Sequence, residues 1–508
     1  WTNQTTGLNV VDLANVILMG RLRVQHQEAS EEVGSQFGSV MMPPAEVLCP
    51  PPDTTLFAHQ EQAIGAWARS HGRGILEMAT GSGKTITALY VASRLHDAIG
   101  PGLAIVIVAP FIHLVDQWIN VARRFGLRPI RCAESVERWQ AQVGAAIDAL
   151  NSQSRGVLSI ATTSATLASP TFAAQLSRIK RPLLFIGDEA HNYGSKTLAA
   201  ALPNRAQYRL GLSATPSRWR DPVGSQKLKD YFGEVVFKYG LGDAIRDDVL
   251  TPYRYYPLEV ALDADEFESY LEITALLRRY GFMENEGEDA SSAVETLLYR
   301  RARLVASASE KLPLLRKLLE PRRQDDHILI YCGDGTVEGP ADGQTLRQVE
   351  AVTRLVGVEL GMSCASYTAD TSPARRQELI EQFDSGFIQV LVAIRCLDEG
   401  VDIPSTRTAS ILASSTNPRQ FIQRRGRVLR KHPSKTRAEI YDFFVTPPSN
   451  ALIAGNPDYL IARSLVQGQI QRAVEFASLA ENGPVARRSL TKLLESLHLL
   501  DKWEANYD

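Results

Sequence analysis

The chain contains 508 residues, which at ordinary domain sizes corresponds to about three domains. Hydrophobic residues make up 44% and charged residues 22%, values typical of a packed globular chain, so a disordered one is excluded. The formal net charge of −2 excludes a basic field over the whole protein, so any nucleic-acid binding must come from local patches. The five cysteines lie far apart without a C-x-x-C pair, which excludes a disulfide scaffold or zinc ribbon and favours a reducing, cytoplasmic location.

The first part of the chain predicts an extension followed by an α/β domain. Residues 1–52 contain a short helical pattern (Val10 to Val24) and then a proline cluster that indicates a linker. Residues 53–245 alternate short apolar runs with helical patterns, which predicts a parallel sheet with helices on both faces. The predicted strands are Gly74–Glu77, Ala104–Ala109, Val157–Ala161, Leu183–Gly187 and Tyr208–Leu212.

The second part repeats this organisation after an interruption. Residues 246–310 lose the strand pattern and predict a helical insertion, whereas residues 311–446 return to the α/β alternation. The strands predicted there are His327–Cys332, Ser363–Tyr367, Ile388–Ala393, Ala409–Ala413 and Glu439–Phe444. Residues 447–508 predict a helical C-terminal tail. The fold class is therefore α/β, with two tandem domains, a helical insertion and a helical tail.

The strongest local motif is a glycine-rich turn between a strand and a helix, made by Thr80, Gly81, Ser82, Gly83, Lys84 and Thr85. Such a turn points backbone N–H groups and the positive helix end at phosphates. Lys84 can reach the β- and γ-phosphates of ATP, and the Thr85 hydroxyl is placed for Mg²⁺. Met78 stands where the pattern G-x-x-x-x-G-K-[ST] has its first glycine, so a chance Lys-Thr after a glycine-rich turn is the alternative.

A pair of carboxylates supports the nucleotide interpretation. The apolar run Leu183–Gly187 ends in Asp188 and Glu189. Near a phosphate-binding turn, a carboxylate at a strand end holds Mg²⁺, and its neighbour can polarise the attacking water. The two motifs together predict ATP hydrolysis, with ATP and Mg²⁺ as cofactors, Asp188 and Thr85 as metal ligands and Glu189 as the base.

With these motifs, the chain resembles the superfamily 2 helicases and translocases between about residues 55 and 445. The resemblance rests on nine elements in the expected order. Besides the two motifs above, they are Leu56–Gln60, Ala109–Pro110 with Leu114–Trp118, Thr162–Thr163, Ser213–Pro216, Ile330–Cys332, Leu397–Pro404 and Gln423–Arg430. The sequences Asp-Glu-Ala-His and Asp-Glu-Gly-Val-Asp look more like the XPB-type and restriction-enzyme helicases than the Asp-Glu-Ala-Asp RNA helicases. In this superfamily a missing first glycine is normal, so Met78 no longer counts against the motif.

The resemblance implies two RecA-like domains with ATP in the cleft between them. Gln60 would read the adenine, Gly400 and Asp402 would lie at the nucleotide interface, and Asp402 would contact the ribose or align the interface. Arg427 and Arg430 would act as arginine fingers from the second domain. His191, Ser213, Thr215 and Gln423 would couple hydrolysis to movement. Thr162, Thr163, Thr368 and the backbone around Gly400 would contact nucleic acid.

The expected function is an ATP-dependent DNA helicase or translocase, the motor of a repair, restriction or anti-phage defence complex. An ATP-switched clamp without unwinding and an RNA remodeller are the alternatives. Residues 246–310 and 447–508 are expected to dock protein partners, because neither segment is needed for ATP chemistry. Trp118, Trp139 and Trp219 are expected to pack rather than to stack on bases. No apolar run reaches the roughly 18 residues that span a bilayer, so no membrane association is expected.

Overall fold

Two parallel sheets form the framework of the chain in a computed structural model. It describes residues 46–219, 221–280, 292–338, 345–394, 403–414, 417–453 and 455–504. The predicted helix at Val10 to Val24, and the candidate residues Gly400 and Asp402, lie outside the described residues. In the described part, no helix is long and apolar enough to cross a membrane.

The first sheet has seven parallel strands in the order β3-β4-β2-β5-β6-β1-β7. Its strands β2 (Leu-Ala-Ile-Val-Ile-Val-Ala) and β5 (Leu-Leu-Phe-Ile-Gly) have no charged residue and are fully buried, as expected where helices cover both faces of a sheet. The strands are β1 Arg73–Met78, β2 Leu103–Ala109, β3 Ile130–Cys132, β4 Val157–Thr163, β5 Leu183–Gly187, β6 Tyr208–Ser213 and β7 Val235–Tyr239. The sequence patterns had not predicted β3 and β7.

Helices connect these parallel strands. They are α1 Ala58–Arg69, α2 Lys84–Ile99, α3 Ile112–Arg124, α4 Gln140–Asn151, α5 Ser164–Leu167, α6 Pro170–Ser177, α7 Lys196–Ala201, α8 Pro222–Phe232 and α9 Leu241–Arg246. In α3, the residues Val115, Trp118, Ile119 and Ala122 are buried. Their spacing of three and four residues places them on one helix face, which packs against β2 and β4.

The second sheet has six parallel strands in the order β12-β13-β9-β14-β15-β8. Its strands are β8 Tyr253–Ala261, β9 Ile328–Cys332, β12 Cys364–Tyr367, β13 Val390–Ile394, β14 Thr408–Ile411 and β15 Ala438–Thr446, and a separate antiparallel pair is formed by β10 Thr336–Glu338 and β11 Thr345–Arg347. The helices of this half are α10 Ala264–Arg279, α11 Ser292–Ala306, α12 Lys311–Leu319, α13 Gln348–Arg354, α14 Pro373–Asp384, α15 Pro418–Val428, α16 Tyr459–Ser478, α17 Gly483–Ser496 and α18 Leu500–Glu504. Two tandem α/β units are therefore confirmed.

The prediction that residues 246–310 are helical was wrong at 253–261. This segment is β8, an edge strand that pairs with β15 over nine residues. Its burial alternates along the strand, with Tyr253, Tyr255 and Pro257 facing inward. A proline is tolerated at a sheet edge because no second neighbour needs its missing N–H group. Helices α10 and α11 follow, as the sequence had predicted for the rest of the segment.

The C-terminal tail is helical, as predicted, but it is built into the second sheet. Helix α16 packs on β15 and helix α17 on β8. The buried Arg472 of α16 donates from Nε to Asp442 Oδ2 over 2.9 Å, and the Tyr255 hydroxyl donates to the same oxygen over 2.9 Å. Breaking a buried ion pair of this kind is strongly destabilising. The tail is thus part of the second domain and does not form a separate appendage.

The segment just before the first domain is also anchored. Glu46, which the sequence had assigned to a linker, is buried and ion-paired with Arg155. Ser159 of β4 donates its hydroxyl to Glu46 Oε2 over 2.5 Å, and Cys49 donates its backbone N–H to Phe125 O over 3.0 Å. Burial raises the pKa of Glu46, while the contacts with Ser159 and Arg155 lower it. The first domain therefore includes residues 46–52.

Candidate active site

The glycine-rich turn lies between β1 and the start of α2. Lys84 Nζ donates to Met78 O over 3.1 Å and to Ala79 O over 3.3 Å, which folds the side chain back over the turn. Gly81 and Gly83 have φ values of +87° and +86°, a left-handed conformation that favours glycine. Burial lowers the pKa of Lys84, and the carboxylates of Glu189 and Asp188 oppose this shift. The turn therefore presents an ammonium group and a helix N-terminus to the same space.

Gln60 of α1 lies directly against this turn. Its Nε2 donates to Gly83 O over 3.3 Å, and its Oε1 accepts the Phe57 N–H over 2.9 Å. A Cβ atom on Gly83 would collide with Gln60 Nε2. The neighbouring His59 ring contacts Ser82 O through Nε2 at 3.0 Å and stacks on Tyr239 with centroids 3.9 Å apart. The structure thus brings the expected adenine-reading residue to the edge of the phosphate turn.

Asp188 and Glu189 follow β5, at the same sheet edge as the turn. Asp188 Oδ1 accepts the Glu189 N–H over 2.9 Å, and Oδ2 accepts the indole N–H of Trp118 over 2.8 Å. Burial raises the pKa of Asp188, whereas the hydrogen bond from Trp118 and the charge of Lys84 lower it. Glu189 has a φ of +45°, and its Oε2 accepts the side-chain N–H of Gln423 over 3.2 Å.

These residues fit a magnesium ion that is bound chiefly through nucleotide phosphates. Within the described ranges, no group of three or more His, Cys, Asp or Glu side chains could hold a metal alone. Mg²⁺ in nucleotide sites usually takes only one or two protein oxygens, together with phosphates and water. The carboxylate of Asp188 and the hydroxyl of Thr85 are oxygen donors of this type.

The candidate coupling residues form a short chain of hydrogen bonds. His191 Nδ1 lies 3.2 Å from Ser213 Oγ, and Ser213 Oγ accepts the Thr215 N–H over 3.1 Å. His191 Nδ1 is also 3.5 Å from Glu189 Oε2. Burial, with the charges of Arg419 and Arg218, lowers the pKa of His191 to about 2, so this ring is neutral at physiological pH. The segment after β6 is therefore linked to the carboxylates after β5.

The arginines of the second domain reach the phosphate turn. Helix α15 approaches so closely that a Cβ atom on Gly426 would lie 2.9 Å from Thr80 Cβ. A Cβ atom on Gly81 would lie 3.2 Å from Arg430 Cγ. The charges of Arg430 and Arg427 both act on Lys84, where they lower its pKa. Arg427 and Arg430 thus stand across the cleft from Lys84, as the finger assignment requires.

The three threonines proposed for nucleic acid lie in different environments. Thr162 is fully buried and donates its hydroxyl to Cys132 O over 2.7 Å, so this side chain is turned into the sheet and we no longer propose it as a contact. Thr163 caps α5 by accepting the Thr166 N–H over 3.2 Å. Thr368 follows β12, is partly exposed and lines an open, polar cavity of about 680 Å³.

Two features of the site were not predicted from the sequence. Trp118 packs in the core as expected, but it also donates a hydrogen bond to Asp188. A buried indole normally needs an acceptor, and this was the only sequence signal for such a contact. Arg425, which lies within the Gln423–Arg430 element, is buried and pairs with Glu475 of α16 at 2.5 Å. The tail therefore braces α15, the helix that carries Arg427 and that we call the finger helix.

Comparison with known proteins agrees with this arrangement. A family model described as type III restriction enzyme, res subunit, matches residues 53–218, and one described as helicase conserved C-terminal domain matches residues 310–432. The DNA 3'-5' translocase XPB2 of Sulfurisphaera tokodaii is 26% identical over 392 residues, or 73% of this chain and 78% of that protein. Putative helicase 22 of a Sulfolobus islandicus filamentous virus is 24% identical over 409 residues, or 76% of this chain and 63% of that protein.

A solved structure shares the fold. The ATP-dependent type ISP restriction-modification enzyme LlaBIII bound to DNA superposes with a TM-score of 0.56 at 16% sequence identity. The match covers 90% of this chain and 33% of that enzyme, so this chain spans only part of the larger protein's length.

The fold and the cleft define a P-loop protein with two tandem RecA-like domains. Within that class, the two matching family models and the XPB2 relative support a superfamily 2 helicase of the XPB or restriction-enzyme type. The resemblance stated from the sequence motifs is thereby confirmed.

Proposed function

We propose that this chain is an ATP-dependent DNA helicase or translocase that hydrolyses ATP between its two RecA-like domains. The observation that carries this proposal is the placement of Arg427 and Arg430 opposite Lys84. The XPB2 relative is named as a DNA translocase, which favours DNA over RNA as the track. We further propose that the chain works as the motor of a repair, restriction or anti-phage defence complex.

The roles in hydrolysis follow from position and charge. Lys84 and the N–H groups at the start of α2 bind the phosphates. Asp188 and Thr85 would hold Mg²⁺, which offsets phosphate charge when it is bound with ATP. Glu189 orients the attacking water and accepts its proton. Arg427 and Arg430 stabilise the charge on the transferring phosphoryl group, an effect worth about 10³ to 10⁵ in rate.

Coupling to movement uses the contacts that cross the cleft. Gln423 of the second domain binds Glu189 of the first, and Glu189 is near His191 and hence Ser213. Closure of the cleft assembles the site, so ATP binding favours the closed state and product release allows opening. Nucleic acid held by both domains would then move relative to one of them in each cycle.

The nucleic-acid preference is tested by ATPase stimulation. Rates measured with single-stranded DNA, duplex DNA and RNA should rise most with DNA. Stronger stimulation by RNA would instead support an RNA remodeller. Strand displacement from a fluorescent duplex, compared with ATP-dependent binding alone, separates a helicase from a clamp that does not unwind.

The site is tested by two substitutions. Lys84→Ala should weaken ATP binding, whereas Glu189→Gln should bind ATP normally and lower the turnover number by about 10³-fold. The exposed residues Lys196 and Glu137 offer matched controls, as Lys196→Ala and Glu137→Gln. Normal turnover in Glu189→Gln would show that the base is assigned to the wrong residue.

A further inference from the structure

The indole of Trp118 donates a hydrogen bond to the side chain of Asp188. The distance from Nε1 to Asp188 Oδ2 is 2.8 Å, and Trp118 is only 2% exposed. The ring belongs to the buried face of α3, so the packing of Val115, Ile119 and Ala122 fixes the direction of its N–H group. A donor held in this way can select one rotamer of the carboxylate that it contacts.

The rest of Asp188 is held by the same structural unit. Its backbone N–H donates to Val108 O of β2 over 2.9 Å, and α3 follows β2 after a short connection. Asp188 Oδ1 is occupied by the N–H of Glu189. Backbone and side chain of this carboxylate are therefore both positioned by the β2–α3 unit, which includes the Leu114–Trp118 element of the superfamily resemblance.

Other buried tryptophans show that this contact is not a general consequence of burial. Trp139 and Trp503 are 1% and 0% exposed, and within the described residues their Nε1 atoms have no hydrogen-bond partner. Trp67 donates to a backbone carbonyl, that of Arg209. Of these four, Trp118 alone donates to a carboxylate.

We infer that Trp118 is a positioning residue that holds Asp188 in the orientation needed to bind magnesium with the nucleotide. This inference rests on the proposed ATPase function and adds to it a residue outside the phosphate turn and the carboxylate pair. Groups that hydrogen-bond to metal ligands, without binding the metal themselves, typically contribute 10- to 100-fold to metal affinity. The site should thus lose metal affinity when the indole N–H is removed, while nucleotide affinity without metal stays unchanged.

The experiment uses the full chain with Trp118→Phe, which keeps an aromatic ring but removes the donor. Binding of Mn²⁺, as a substitute for Mg²⁺, is measured by electron paramagnetic resonance in the presence of a non-hydrolysable ATP analogue. Binding of the same analogue is measured separately in EDTA. The control is Trp139→Phe, which makes the same change at a buried indole that has no acceptor among the described residues.

The inference predicts that Mn²⁺ affinity falls by about tenfold or more in Trp118→Phe, with unchanged analogue binding in EDTA and no change in Trp139→Phe. Mn²⁺ affinity within twofold of the parent protein would overturn it. If Trp118→Phe does not fold, benzothienylalanine at position 118 keeps the ring shape without the N–H group. The same changes in Mn²⁺ affinity then support or overturn the inference. A parent protein that shows no analogue-dependent Mn²⁺ binding would overturn the proposed function together with this inference.

Discussion

Two regions face each other across the nucleotide cleft: the phosphate turn of the first domain and the finger helix α15 of the second. The contacts that hold them in place differ in how far apart their partners lie in the sequence. In the phosphate turn, Lys84 is held by the carbonyl groups of Met78 and Ala79, six and five residues earlier in the chain. On the second side, the finger helix α15 depends on distant contacts. Arg425 pairs with Glu475, 50 residues later, and donates to the Tyr253 hydroxyl, 172 residues earlier.

This difference shows how each side can fail. The phosphate turn is a local structure that a single substitution inside it can disable. The finger side also fails when remote packing is lost, because α16 and β8 support α15. The sequence alone led to the expectation that residues 447–508 are not needed for ATP chemistry, but their contacts with α15 lead us to predict the opposite. A chain without this tail should lose ATP turnover, and partner docking on the tail remains a proposal for its exposed faces only.

The largest effect should come from removing a finger. Arg430→Ala is expected to lower the turnover number by about 10³-fold while changing ATP affinity only slightly, because the arginine acts mainly on the transition state. Steady-state ATPase rates and equilibrium binding of an ATP analogue measure the two effects. Arg437→Ala, at a surface arginine that pairs with Glu481, is the control. An unchanged turnover number in Arg430→Ala would mean that Arg430 is not an arginine finger.

The next largest effect should come from the buried ion pair between β15 and α16, the helix that supports the finger helix. Asp442→Asn should lower the free energy of unfolding by about 3 to 5 kcal/mol, because it leaves the buried Arg472 without its ionic partner. Urea unfolding followed by circular dichroism measures this change. At the exposed pair of Asp148 with Arg178, Asp148→Asn should cost less than about 1 kcal/mol. Equal losses at the two sites would contradict the importance of remote packing.

This contrast also explains what the sequence could predict. Lys84, Thr85, Asp188 and Glu189 lie within motifs of a few residues, so their chemistry is visible in the sequence itself. The fold class followed from the alternation of apolar runs with helical patterns. Both depend on short-range order that a single chain displays directly.

The missed features depend on pairs that are far apart in the chain. Trp118 meets Asp188 across 70 residues, and the Tyr253 hydroxyl donates to Phe476 O across 223. Strand β8 was missed because its alternating tyrosines and Pro257 do not form a continuous apolar run. Hydrophobic periodicity shows which residues are buried, but it does not show which residues they meet.

A smaller effect should appear in the dependence of stability on pH. An unfolded histidine titrates near pH 6.5, whereas burial lowers the pKa of His191 to about 2. Between these pH values the unfolded state binds a proton at His191 that the folded state does not bind. The free energy of unfolding is therefore highest above pH 6.5 and decreases as the pH falls. The decrease due to His191 should be about 2 kcal/mol between pH 7 and pH 5.

Urea unfolding at the two pH values tests this prediction. His191→Asn should show a smaller loss of stability on acidification than the parent protein. The exposed His71 provides a control as His71→Asn, which should behave like the parent. The same loss in His191→Asn as in the parent would show that His191 is not held neutral by burial.

The smallest effect should come from the contact that joins the tail to the finger helix. Glu475→Gln removes a charge that pairs with Arg425 but is itself partly exposed, so turnover should fall by only about fivefold, or about 1 kcal/mol. ATP affinity should not change, because the phosphate turn is untouched. Glu481→Gln, at the surface pair with Arg437, is the control. A change in ATP affinity without a change in turnover would contradict the separation of the two sides.

Hydrogen exchange measured by mass spectrometry tests most directly whether the nucleotide lies between both sides. With a non-hydrolysable ATP analogue and Mg²⁺, amide exchange should slow both in the phosphate turn around residues 79–87 and in the finger helix at 418–428. Lys84→Ala should remove both protections together. Protection confined to the phosphate turn, with the finger helix exchanging as it does without nucleotide, would contradict a site shared by the two domains.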